Sequence, residues 1–136
     1  MHKYLIFIFI VFTGLLFSCQ NKEEEIRKEL NTGNKMWYDG DENGALTHYE
    51  RVLELDPKNA EAIVLIGNVY YQWQKYDDAF KYYSLAIETD SLYGIAYKKR
   101  GDIHNLRKDF SKKCADYKKA DALGVENLTN LIQNCP

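Results

Sequence analysis

This sequence predicts an all-α chain of stacked helical hairpins, and three observations predict it. The first is a period. Thr32-Gly33-Asn34, Ile66-Gly67-Asn68 and Arg100-Gly101-Asp102 recur every 34 residues, as do Tyr49, Tyr83 and Tyr117, followed by Val52, Ala86 and Ala120. The second is the spacing inside that period. Ile63, Ile66, Gly67 and Tyr70 fall at i, i+3, i+4, i+7, and Ala79, Tyr83, Ala86 and Ile87 at i, i+4, i+7, i+8, so one unit holds two amphipathic helices. The third is composition: 136 residues, 46% hydrophobic and 28% charged, with only two prolines and eight glycines, which excludes fibrous and disordered classes. A unit of this size cannot bury its own apolar face and must stack on a neighbour, which makes the chain a repeat array.

The first 18 residues read as a leader outside that array. Met1-His2-Lys3 is positive, and Tyr4 to Phe17 is a nearly unbroken apolar run. Fourteen helical residues rise roughly 21 Å, short of the ~30 Å hydrocarbon core, so a signal-peptide core fits better than a spanning helix. Leu16-Phe17-Ser18-Cys19 resembles the lipobox of bacterial lipoproteins. That resemblance implies cleavage before Cys19 and acylation of its thiol, and two or three acyl chains make a stable anchor where one does not. An uncleaved anchor helix with an incidental cysteine is the alternative. Residues 19–25 then form an acidic tether. Lys22-Glu23-Glu24-Glu25 is either an export tag like that of surface-exposed lipoproteins or a solvated run that places acids at a helix N-terminus.

The 34-residue unit resembles the tetratricopeptide repeat, a helix–turn–helix with Leu-Gly at its seventh and eighth positions, Tyr at the eleventh, Ala at the twentieth and twenty-seventh, and an aromatic at the twenty-fourth. Residues 60–93 match best, through Ile63, Ile66, Gly67, Tyr70, Ala79, Tyr83 and Ala86. Residues 26–59 keep Gly33, Ala45, Tyr49 and Val52, and Pro57 ends the second helix by denying an N–H. Residues 94–127 keep Tyr97, Gly101, Phe110, Tyr117 and Ala120, with Lys113 where alanine is usual. The resemblance implies three tandem repeats in a short right-handed solenoid. Within a unit, Gly67 and Ala79 are small where the two helices should approach closely, and a larger side chain would overpack the contact.

After the last repeat, residues 126–136 read as a capping helix and the C-terminus, with Leu128, Leu131 and Ile132 at helical spacing over 126–134. Cys114 and Cys135 lie 11 residues before and 10 after Val125, level with each other in an antiparallel hairpin. Outside the cytosol that favours a disulfide closing a loop of about 20 residues, with two free buried thiols as the alternative. Two cysteines with His48 and His104 at unrelated spacings make no metal site, and no cofactor is expected.

The repeat resemblance also implies a concave binding surface lined by the first helix of each unit. The positions are Arg27, Leu30, Asn34, Trp37 and Tyr38; Glu61, Val64, Asn68, Tyr71 and Gln72; and Ile95, Lys98, Asp102, Asn105 and Leu106. Asn34, Trp37, Tyr38, Asn68, Tyr71, Gln72, Lys98 and Asn105 are the side chains expected to meet a peptide or protein, although Tyr71 also follows the family's own preference. One subfamily holds the C-terminal carboxylate of chaperones with Lys, Asn, Asn, Lys and Arg. Those places hold Leu30, Asn34, Leu65, Ile95 and Lys99, with Asn34 the one outright match and Lys99 able to stand for arginine. By that count a chaperone carboxylate clamp is not expected.

Catalytic fingerprints are missing from the sequence, and neither histidine has a nucleophile beside it, so an enzyme is not expected. A net charge of −2 without a basic patch argues against nucleic acid. The expectation is a lipid-anchored protein-interaction module of the bacterial cell envelope, an outer-membrane lipoprotein facing the periplasm or the surface. The alternative is a structural accessory subunit of a single envelope or secretion assembly.

Overall fold

The computed structural model describes residues 21–133 and 135, all helix and turn with no strand among them. The leader and Cys19, on which the lipid-anchor expectation rests, lie outside the described residues. The chain divides after Leu55 into two compact units.

The first unit is a helical hairpin. Helix α1 spans 21–38 among the described residues, and α2 spans Glu42–Leu55. The acidic run 22–25 is helical, and Glu25 reaches Arg51 of α2 at 3.6 Å. Gly40, at φ +85°, reverses the chain: its N–H donates to the Trp37 carbonyl at 3.2 Å and that of Asp41 to Met36 at 2.8 Å. This is the left-handed close of a helix, and glycine adopts it without steric cost. Asp41 then caps α2, accepting from the Gly44 N–H at 2.9 Å.

The second unit runs α3 (Ala60–Gln72), α4 (Tyr76–Thr89), α5 (Gly94–Leu106), α6 (Phe110–Ala122) and the single turn α7 (Thr129–Ile132), each packed on the next in order. Asn59 caps α3 and Asp109 caps α6 through side-chain oxygens. Gln74 and Lys108 repeat the conformation of Gly40 at φ 60° and 58°, again 34 residues apart. Neither is glycine, so both bear a left-handed cost of ~1–2 kcal/mol. Paired carbonyl contacts close both turns: Lys75 N–H to Tyr70 and Asp109 N–H to His104, each at 2.9 Å.

The glycine of each repeat faces the tyrosine of its partner helix. A Cβ on Gly33, Gly67 or Gly101 would lie 2.6 Å from the ring of Tyr49, Tyr83 or Tyr117 respectively. These rings are almost fully buried, beside Ala45, Ala79, Ala86 and Ala120 at 0% exposure.

The cap is shorter than the sequence suggests. Helix over 126–134 is expected, whereas α7 covers four residues. Asn127 takes φ 62° and breaks the run, and Leu128 turns in to complete burial while Leu131 stays 40% exposed. A single buried leucine thus replaces an apolar helix face. Cys114 and Cys135 are joined by a disulfide with Cα atoms 5.5 Å apart.

Two outcomes follow for stability. Gly67→Ala should lower the urea midpoint, because overpacking of about 1–3 kcal/mol outweighs a helix-propensity gain of up to ~1 kcal/mol; an unchanged midpoint would mean the Tyr83 ring gives way. Reduction, or Cys114→Ser, should lower the melting temperature, with up to about 3 kcal/mol at stake for a loop of this length.

Candidate functional site: a polar face on the first helix of each repeat

The ninth position of each repeat has a structural role that the sequence reading assigned to ligand contact alone. Tyr49 Oη donates to Asn34 Oδ1 at 2.9 Å, Tyr83 Oη to Asn68 Oδ1 at 3.0 Å, and Tyr117 Oη to Asp102 Oδ1 at 2.7 Å. The bond orients each amide. With Oδ1 engaged by the tyrosine, the Asn34 and Asn68 Nδ2 groups remain to donate outward. Burial raises the Tyr83 and Tyr117 pKa values far above the ordinary phenol value, so both hydroxyls stay protonated donors.

In the first unit, α1 presents Asn34 and Tyr38 to solvent, Tyr38 at 91% exposure, with Trp37 half-buried. On the second unit, α3 contributes Asn68, Tyr71 and Gln72, and α5 contributes Lys98, Asp102 and Asn105. The two helices share a face there: Tyr71 has its pKa raised by burial and then by the Asp102 carboxylate. The Tyr71 ring is braced edge-on by Tyr76, centroids 5.3 Å apart. Val64, expected on this surface, is 2% exposed and belongs to the core. Glu61, Gln72, Ile95, Asn105 and Leu106 are exposed.

Lys98, Lys99 and Arg100 are consecutive cations with three different fates. Lys98 Nζ reaches Asp102 Oδ2 at 3.4 Å. Arg100 turns the other way and forks onto Asp116 of α6 at 2.8 and 2.7 Å. Lys99 is half-buried with no ion-pair partner among the described residues. Burial lowers its pKa, and the neighbouring charge of Lys98 lowers it further. The Asp102 carboxylate opposes both, and an arriving anion would oppose them further. In sequence the run reads as one solvated basic stretch, which hides the lysine that stands apart.

Both histidines lie beside acids. His48 Nδ1 is 2.6 Å from Glu29 Oε2, and His104 Nε2 is 3.8 Å from Asp116 Oδ2. The described residues hold no group of three or more potential metal ligands, and no helix among them is long and apolar enough to cross a membrane.

Residues 33–74 match the family model described as TPR repeat, and residues 60–91 the one described as tetratricopeptide repeat. Tetratricopeptide repeats are therefore present over residues 33–91. RNA polymerase II-associated protein 3 of Xenopus tropicalis is 30% identical over 105 residues, 77% of this chain but only 16% of that protein. The second TPR of Spaghetti (RPAP3), solved bound to the HSP90 peptide SRMEEVD, is 27% identical with a TM-score of 0.67, covering 76% of this chain and 95% of that one. The first TPR of the same protein, bound to the same peptide, is 22% identical with a TM-score of 0.72, covering 81% and 89%. The Arabidopsis OM64 TPR domain is 19% identical with a TM-score of 0.72, covering 82% and 93%. The last two likenesses show the fold.

The exclusion of a chaperone carboxylate clamp is overturned, since a TPR domain 27% identical to this chain is solved bound to the HSP90 peptide SRMEEVD. The exclusion counted five side-chain identities as if no other donors could serve. The tyrosine bond leaves asparagine Nδ2 groups available, and Lys99, which can stand for arginine, is half-buried without an ion pair among the described residues.

Proposed function

We propose that this chain is a protein-interaction module whose α3–α5 face takes an extended peptide with acidic residues and a free C-terminal carboxylate, of the kind exemplified by SRMEEVD. The observation that carries this reading is Lys99. A half-buried ammonium without an ion pair, flanked by a second lysine and by an Asp102 carboxylate already engaged with Lys98 and Tyr117, gains a charge-assisted hydrogen bond when a carboxylate arrives. On α3 and α5, the Asn68 amide, Tyr71, Gln72 and Asn105 offer donors and one braced aromatic surface to a peptide backbone. The peptide-bound relative at 27% identity supports the same class of partner.

The module is tethered to a bacterial envelope membrane by acylation of Cys19. The support is the apolar run 4–17 and the tetrad Leu16 to Cys19. The outer membrane is the destination this reading favours.

Fluorescence anisotropy with labelled SRMEEVD tests the first part. Binding should weaken with added salt and with C-terminal amidation of the peptide, and Lys99→Ala should weaken it about tenfold, the scale of one charge-assisted hydrogen bond. Equal affinity of the acid and amide peptides, or an unaffected Lys99→Ala variant, would remove the carboxylate from the reading. For the anchor, Cys19→Ser should move the protein from the membrane pellet to the soluble fraction on cell fractionation; the same distribution as wild type would exclude it.

A further inference from the structure

His104 is the one described side chain with a buried nitrogen that has no hydrogen-bond partner. It is 6% exposed, at the eleventh position of its repeat, where Tyr70 stands in the preceding one. Its Nδ1 is sealed from solvent and from any acceptor. Its Nε2 faces Asp116 Oδ2 at 3.8 Å, beyond hydrogen-bond range. Each Asp116 oxygen already accepts from Arg100, at 2.8 and 2.7 Å, so the carboxylate is largely committed elsewhere. From α4 the Phe80 ring meets the imidazole edge-on, centroids 5.4 Å apart.

We propose that His104 is a pH-sensitive latch on the α5–α6 hairpin: the packed hairpin requires the neutral imidazole, and protonation loosens it. The neutral ring needs only one N–H, which points toward Asp116 and leaves the sealed Nδ1 as an unused lone pair. The cationic ring carries two N–H groups, and the second must sit where nothing accepts it. The charged groups facing the ring are few. Asp116 and Asp109 favour the cation, and Arg100 and Lys112 oppose it; α4 contributes the Phe80 ring, whose neighbour Arg107 is held by Asp77. Desolvation is the largest influence, and the net effect lowers the His104 pKa from 6.5.

The sign follows from linkage. In the unfolded chain His104 takes up its proton near 6.5, whereas in the fold it does so at lower pH. Between those two values the unfolded state holds more protons. Stability is therefore full above the ordinary value and falls as pH drops toward the folded midpoint, by up to about tenfold in the folded-to-unfolded ratio per pH unit.

The test uses the full chain with its disulfide intact and no peptide, so it succeeds or fails independently of the ligand proposed above. In a background with His2→Gln and His48→Gln, which leaves His104 as the one histidine of the chain, the imidazole resonances should titrate with a midpoint below 6.5. Amide exchange in α5 and α6, corrected for its intrinsic pH dependence, should accelerate between pH 7 and pH 5 while α3 holds. His104→Tyr, which installs the residue that the second repeat tolerates at this position, should flatten the fall in melting temperature over that range. A midpoint at or above 6.5 would overturn the latch, as would an undiminished acid loss in His104→Tyr. The resonance titration needs no substitution at His104, so it decides the matter even if the tyrosine variant folds poorly.

Discussion

Everything in these repeats depends on one contact, the edge of a tyrosine ring set against a glycine. The ring of Tyr83 occupies the space a Cβ on Gly67 would need, and its hydroxyl crosses to the next residue of the same helix, Asn68. One side chain therefore sets both the distance between two helices and their rotation. The ring fixes how near they come, and the hydrogen bond fixes which turn lies opposite which. Tyr49 and Tyr117 do the same on Gly33 with Asn34 and on Gly101 with Asp102. A buried phenol without an acceptor would carry an unsatisfied polar group, so the tyrosine needs both the space left by the glycine and an oxygen at the next position.

That coupling explains why so much of the fold was legible. Glycine and tyrosine are conspicuous residue types, and a contact repeated once per unit prints a period of 34 on the sequence. Less was legible in the candidate site. Asn34 and Asn68 stand where a groove residue should, but nothing in their identity reveals that the carbonyl end of each amide is already engaged. Val64 was misplaced for the converse reason: its position in the repeat suggests the groove, while its burial depends on what packs over it. The cap failed as a helix because Asn127 adopts a left-handed conformation, a choice asparagine tolerates but does not announce. Leu128 then satisfies the end of the array alone.

The third repeat departs from the second in ways that act together. Replacing the amide of Asn68 by the carboxylate of Asp102 keeps the tyrosine bond and adds a charge, which draws Lys98 to it. Arg100 leaves the same helix on the opposite side for Asp116. Of three adjacent cations, two are thereby paired within the fold, and the middle one is left half-buried without an ion pair among the described residues. A run of basic residues on a water-facing helix would ordinarily attract anions weakly and without preference. Sorting that run among three environments concentrates the unsatisfied charge in one ammonium, and a single directed charge can select a carboxylate where a diffuse field cannot.

The same sorting gives the α5–α6 hairpin its exposure to pH. Because Asp116 accepts the Arg100 fork with both oxygens, it has little left for His104, although only 3.8 Å separates them. A tyrosine at that position, as in the second repeat, would bring no titration near neutrality. Histidine in its place puts a group whose charge changes near neutral pH inside the helix pair that also carries Lys98, Lys99 and Asn105. The proposed recognition and the stability of this repeat thus draw on one set of charges, and a change in the protonation of His104 bears on the helix that presents the lysines.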